Sequence, residues 1–245
     1  MKVVLLGATR GMGLALARCM ARRGDALYLL GRDAEALDRA ATDLQGLGGR
    51  KVAYGLCDLI ADASTIAGAL EAAQEALPDF DTVVVTASLF ETQEHLELDR
   101  DLRDRLLRTN FSNTIHFCEE ARRCLLARGG GTLCVFSSVA ALRARKRVVL
   151  YGATKAGLSY YLDGLDLRYR SAGLKTVTVV PGFIRTEMTA GLDVPLFAAD
   201  PEDVAPAILR AIDRGQRRVF VPGVWRLVML VIRSLPRFVM RRATF

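Results

Sequence analysis

The chain has 245 residues, 51% hydrophobic and 25% charged, the composition of one globular domain long enough to bury its core without disulfides or metals. Its formal charge of +7 is uneven: seven arginines and no acid lie between Gln216 and Phe245. The remainder is neutral, so the charge does not point to nucleic acid, and the tail offers little besides arginine to read bases. No segment supplies the roughly 18 apolar residues of a membrane span. The five cysteines (19, 57, 118, 124, 134) lack CxxC spacing and two histidines make no metal set, which predicts reduced thiols, no bound metal and a cytoplasmic location.

Apolar runs at Lys2–Leu6, Ala26–Leu30, Lys51–Cys57, Thr82–Thr86, Gly131–Phe136, Lys175–Val180 and Arg218–Val221 read as strands. They are continuous rather than alternating, as expected of strands buried on both faces. Helical stretches at Gly13–Arg23, Ala34–Gln45, Ala63–Ala76, Arg100–Arg128, Tyr151–Ser171 and Pro201–Arg214 separate them. The alternation predicts one Rossmann-type, doubly wound α/β sandwich with about seven parallel strands. It spans residues 1–222 and is followed by an amphipathic helical tail, 223–245.

The first strand runs into Gly7-Ala8-Thr9-Arg10-Gly11-Met12-Gly13. Glycine lets the backbone turn sharply and approach a pyrophosphate, and the following helix aims free N–H groups and its positive dipole end at it. The second strand ends at Gly31-Arg32 rather than at the acid that would bind a ribose 2′-hydroxyl. A guanidinium can grip a 2′-phosphate, which predicts NADP(H), with Arg10 within reach of the same group. Asp33 is expected to cap the next helix.

Tyr151 and Lys155, four residues apart, share a helix face. A neighbouring ammonium stabilises tyrosinate, making the pair a workable general acid or base. The strand before them ends in Ser137-Ser138, at the strand end that faces the cofactor crevice in such sheets. With these motifs in order, the sequence resembles the short-chain dehydrogenase/reductase family over about residues 2–222.

The resemblance implies that Tyr151 exchanges a proton with a carbonyl or alcohol oxygen and that Ser138 polarises that oxygen. Lys155 would bind the nicotinamide ribose and lower the Tyr151 pKa, and Asn110 would hold a relay water. Asp58, with Leu59 beside it, would contact the adenine. Ala87 is retained from the family's fourth-strand motif. Pro181, Gly182, Ile184 and Thr186 would lie along the nicotinamide. Ser137 is read as a strand-end neighbour. The sequence departs from the family at Val85-Thr86-Ala87-Ser88, where Asn-Asn-Ala-Gly is usual; the missing asparagine ties the sheet together, and the glycine allows close approach to the cofactor.

Arg143, Arg145, Lys146 and Arg147 precede Tyr151 and would attract an anionic substrate, carrier or lipid surface. The apolar segment Glu187–Ala199 would cover a hydrophobic substrate. In the tail, Arg226, Arg233, Arg237 and Arg241 form one stripe opposite apolar residues, and Ser234 is expected to cap a second short helix at Pro236. Trp225 would then sit at a lipid headgroup level. A homodimer or homotetramer interface is the competing use of the tail. The function expected is NADP(H)-dependent ketone–alcohol interconversion on a hydrophobic or acyl-chain small molecule; the alternative is a cofactor-binding scaffold with lost chemistry.

Overall fold

A computed structural model describes residues 1–242. Strands β1 (Lys2–Leu6), β2 (Ala26–Gly31), β3 (Lys51–Leu56), β4 (Thr82–Val85), β5 (Gly131–Phe136), β6 (Leu174–Pro181) and β7 (Arg218–Val221) form one sheet. All its pairings are parallel and its order is β3-β2-β1-β4-β5-β6-β7. The chain reverses its direction of strand addition between β1 and β4, which opens a crevice at the strand C-termini.

Helices α1 (Gly11–Arg22), α2 (Ala34–Gly46) and α8 (Pro201–Asp213) cover one face. Leu16, Met20, Leu37 and Ile208 pack there against Val3, Leu5 and Val177. Helices α3 (Ala63–Ala76), α6 (Asn113–Leu126) and α7 (Val149–Tyr169) cover the other. Ile66, Phe117 and Leu158 pack there on Val4, Leu6 and Val83. Central strands thus bury alternate side chains on opposite faces, which is why their sequences read as unbroken apolar runs. β3 departs from that expectation. It lies at an edge and alternates, with Tyr54 and Leu56 exposed.

The helix expected over Arg100–Arg128 is present from Arg100 to Leu126 but is not α-helical throughout. It divides into α5 (Arg100–Leu107), a π-helical turn at Arg108–Ser112, and α6. A short helix, α4 (Gln93–Leu98), precedes α5. After β7 come α9 (Trp225–Ser234) and α10 (Arg237–Arg242). Ser234 does not cap α10: it is the last residue of α9, and its hydroxyl donates back to Leu230 O at 2.9 Å. Trp225 is not at the surface either. It is buried with Met229 against Val139 and Val180, because α9 turns one apolar face onto the end of the sheet.

All five cysteines are free. Among the described residues no cluster could hold a metal ion, and no helix is long and apolar enough to cross a membrane.

Candidate active site

The glycine loop joins β1 to α1 and lies beside the end of β4. Gly7 has φ +94°, and a Cβ there would lie 2.5 Å from Thr86 Oγ1 and 2.6 Å from Ala87 N. A side chain at Gly13 would run into the Gly7 carbonyl. Thr86 donates to Leu6 O (3.1 Å) and Gly7 O (2.8 Å), and Ala87 N donates to Leu6 O. Where the family usually places an asparagine to tie the sheet together, the Thr86 hydroxyl here bonds the end of β4 to the glycine loop.

The N-terminus of α1 receives no side-chain cap, and its first turn holds no acid. Its free N–H groups suit an anion. Thr9 and Met12 are half-buried in the loop, and Gly11 (φ +53°) faces Thr186, whose methyl a Cβ would meet at 3.4 Å. Arg10 is not free. Its guanidinium donates to Glu187 at 2.9 Å, with both side chains exposed. Arg32 follows β2, exposed and without an ion pair among the described residues. Asp33 accepts from Ala36 N at 3.0 Å and caps α2, as expected. Asp58 is exposed beyond β3, where it accepts from Ile60 N, while Leu59 is buried.

At the crevice, β5 and α7 bring Ser138, Tyr151 and Lys155 to one cavity of about 830 Å³. The two serines after β5 face opposite ways. Ser137 is buried and bonds Lys155 O (3.1 Å) and Ser159 Oγ (2.6 Å), fastening α7 to the sheet. Ser138 accepts from Ala140 N at 3.1 Å, and its hydroxyl lines the cavity together with Ser88 and Tyr151. Burial pushes the Tyr151 pKa up to about 12, against opposing effects from Ser138, Ser88 and the Arg145 charge.

Lys155 is 2% exposed. Its ammonium donates to Phe136 O at 3.0 Å and stands 5.8 Å from the centre of the Tyr151 ring. Burial lowers its pKa to about 8. The groups that ease ionisation of Tyr151 here are thus hydroxyls and Arg145, with Lys155 turned to the strand end. Among the described residues this buried cation has no carboxylate partner, and one carbonyl does not use its three donors. That surplus suits a ligand diol such as a ribose.

Asn110 lies fully buried within the π-helical turn. Its amide donates to Leu89 O (2.6 Å) and accepts from Leu89 N (2.7 Å) and Ser88 Oγ (3.1 Å). It therefore anchors the strand-end segment that carries Ser88. Pro181 ends β6 and pairs with Val221. Gly182 supports the Trp225 indole, which a Cβ would strike. Ile184 bridges Ala199, closing the base of the 187–198 segment, and Thr186 and Thr189 cap each other within it.

Three contributors lie outside the residues to which the family motifs assign a role. Phe90 packs edge-on against Tyr151, with centroids 5.0 Å apart. Trp225, Val228 and Ile232 of α9 line the cavity, and Trp225 Nε1 donates to Phe197 O of the covering segment at 3.1 Å. Arg145 lines it as well. The four cations of its loop do not act together: Arg143 donates to Leu235 O and Lys146 to Arg241 O, both on the C-terminal helices. Phe90 carries no sequence signal. The single tryptophan and the basic loop were visible, but not their direction.

Residues 1–194 match the family described as short chain dehydrogenase. The chain belongs to the short-chain dehydrogenase/reductase family. An uncharacterised oxidoreductase of Streptomyces coelicolor is 33% identical, over 98% of this chain and 94% of that one. A 3-oxoacyl-[acyl-carrier-protein] reductase of Chlamydia muridarum is 26% identical, over 84% and 87%. In fold the chain is similar to a short-chain dehydrogenase from Sphingobium yanoikuyae in complex with NADPH: the TM-score is 0.82 at 23% identity, covering 96% and 97% of the two chains. Members of this oxidoreductase family act on small molecules.

Proposed function

We propose that this short-chain dehydrogenase/reductase interconverts an apolar ketone and its secondary alcohol using NADP(H). The observation that carries the reading is the convergence of Tyr151, Ser138 and Lys155 on one largely apolar cavity beside the glycine loop. A phenol with a pKa near 12 stays protonated at neutral pH, which suits a proton donor in ketone reduction. Ser138 donates to the carbonyl oxygen and orients it toward the phenol. Lys155 holds the ribose hydroxyls with donors left over from Phe136 O. When bound, the cofactor supplies or accepts the hydride. Apolar walls exclude water, and the bond to Asn110 fixes the Ser88 hydroxyl in the same cavity.

The preference for the 2′-phosphorylated cofactor rests on Arg32. It is exposed at the strand end, while Asp33 is occupied in capping α2. Arg10 can assist by exchanging its pairing with Glu187, an exposed contact worth only about 0–1 kcal/mol. Substrate chains fit against Leu192, Phe197 and Val228. The same reading seats the protein on an anionic lipid surface through Leu227, Leu230, Val231 and Phe238, which point outward beside exposed arginines.

The experiment is a cofactor titration paired with a ketone panel. The unaltered protein is expected to bind NADPH in preference to NADH and to consume it with apolar ketones. Tyr151→Phe should retain binding and lose turnover by about a hundredfold or more, and Arg32→Ala should erase the cofactor preference. NADPH binding without turnover of any ketone would leave the scaffold reading in its place.

A further inference from the structure

We propose that the cavity recognises substrates carrying a carboxylate, which Arg145 receives beside the Tyr151 hydroxyl; the inference rests on the oxidoreductase reading and names its substrate class.

Four observations converge on Arg145. First, its position is built. The loop between β5 and α7 is pinned on both sides of it, by Arg143 on Leu235 O and Lys146 on Arg241 O. Arg145 lies between these anchors in extended backbone and turns into the cavity. Second, it lacks a partner. Among the described residues Arg145 makes no ion pair and no side-chain hydrogen bond. The one acid lining the cavity, Asp193, is exposed on the covering segment and does not pair with it. Third, it is half-buried, and burial lowers its pKa from the usual arginine value. Taking a guanidinium out of water without an acceptor is costly, and an arriving oxoanion repays that cost. Fourth, it lines the same cavity as Tyr151 and Ser138.

The other cavity groups narrow the ligand. Lys155 is committed to Phe136 O and, in the proposed function, to ribose. Arg147 is exposed at the rim. Apolar side chains from the covering segment and α9 make up most of the remaining wall. A single inward guanidinium within apolar walls matches an amphipathic acid: one oxoanion, with the reacting carbon near it and the rest hydrocarbon. A planar guanidinium fork fits a carboxylate with two parallel hydrogen bonds.

Trp225 is the only tryptophan and lines this cavity, so its fluorescence reports occupancy without turnover. We would titrate the full chain, saturated with NADP⁺, with dodecanoate and with its methyl ester, which has the same chain and no charge. Dodecanoate is expected to bind about tenfold or more tightly than the ester, the ratio of a charge-assisted pair. Arg145→Gln should abolish that ratio while leaving ester affinity unchanged. Equal affinities in the unaltered protein would overturn the proposal. So would a preference that survives Arg145→Gln, which would place the carboxylate on other cations such as the tail arginines. Equal loss of acid and ester affinity in the variant would make Arg145 structural and would also overturn it. A ketone panel run alongside separates the two readings: ketone turnover with no acid preference defeats only the carboxylate site, whereas acid preference with no turnover defeats only the oxidoreductase.

Discussion

Burial acts on Tyr151 and Lys155 in opposite directions, raising the phenol to about 12 and lowering the ammonium to about 8. Each shift favours the neutral form, because the cavity floor is apolar. The lysine shift has a stability consequence. Below pH 8 the ammonium is protonated in both folded and unfolded chains, and the folded state bears its full desolvation cost. Between pH 8 and 10.5 the folded protein sheds that proton while the unfolded chain keeps it. Stability from this group therefore rises with pH across that window. The difference corresponds to about 3 kcal/mol. In thermal denaturation at matched pH, the unaltered protein should gain stability relative to Lys155→Met between pH 8 and 10. A constant difference would show that folded Lys155 keeps its proton as the unfolded chain does, and so is better solvated than its 2% exposure indicates. The residue scale was also where reading the sequence succeeded least evenly. Tyr151, Ser138 and Lys155 could be named from their order along the chain, and they line one cavity. Ser88 stands where the family has glycine, yet its hydroxyl donates to Asn110 and lines the cavity with Tyr151, and no one-dimensional pattern encodes that contact.

Among the elements, the strands and most helices were legible because the hydrophobic period is set by the backbone itself. The π-helical turn within the helix that starts at Arg100 is not legible. Nothing in Thr109-Asn110-Phe111 marks it, and the turn coincides with long-range bonds from Asn110 to Leu89. The tail misled for a related reason: its amphipathic pattern shows that one face is apolar but not what covers it. Here Gly182 supplies the seat, since any side chain there would occupy the space of the Trp225 indole. Gly182→Ala should therefore displace α9 without disturbing the sheet, at about 1–3 kcal/mol. The measurements are a lower melting temperature and a red-shifted emission from Trp225, which is 9% exposed. Unchanged emission would mean that α9 does not depend on that glycine.

For the whole molecule, the net charge narrows to a smaller surface than the sequence indicated. Arg217 and Arg218 pair with Asp166 and Asp163 on α7, which leaves Arg226, Arg233, Arg237, Arg241 and Arg242 exposed on the last two helices. Leu227, Leu230, Val231 and Phe238 share that surface at 63–66% exposure. Such a surface gains from an interface that is apolar within and anionic at its boundary. Deleting the tail would be a poor test, because Trp225 and Met229 are core residues and the cavity would lose a wall. Replacing Leu227, Leu230 and Val231 together by Gln changes the outward face and spares the inward one. The unaltered protein should float with phosphatidylglycerol vesicles, less so in high salt, and should not float with pure phosphatidylcholine. The triple variant should lose flotation while keeping its melting temperature and its affinity for NADPH. If the unaltered protein ignores vesicles but is dimeric, and the triple variant is monomeric, the face joins two copies of the chain and the lipid assignment fails.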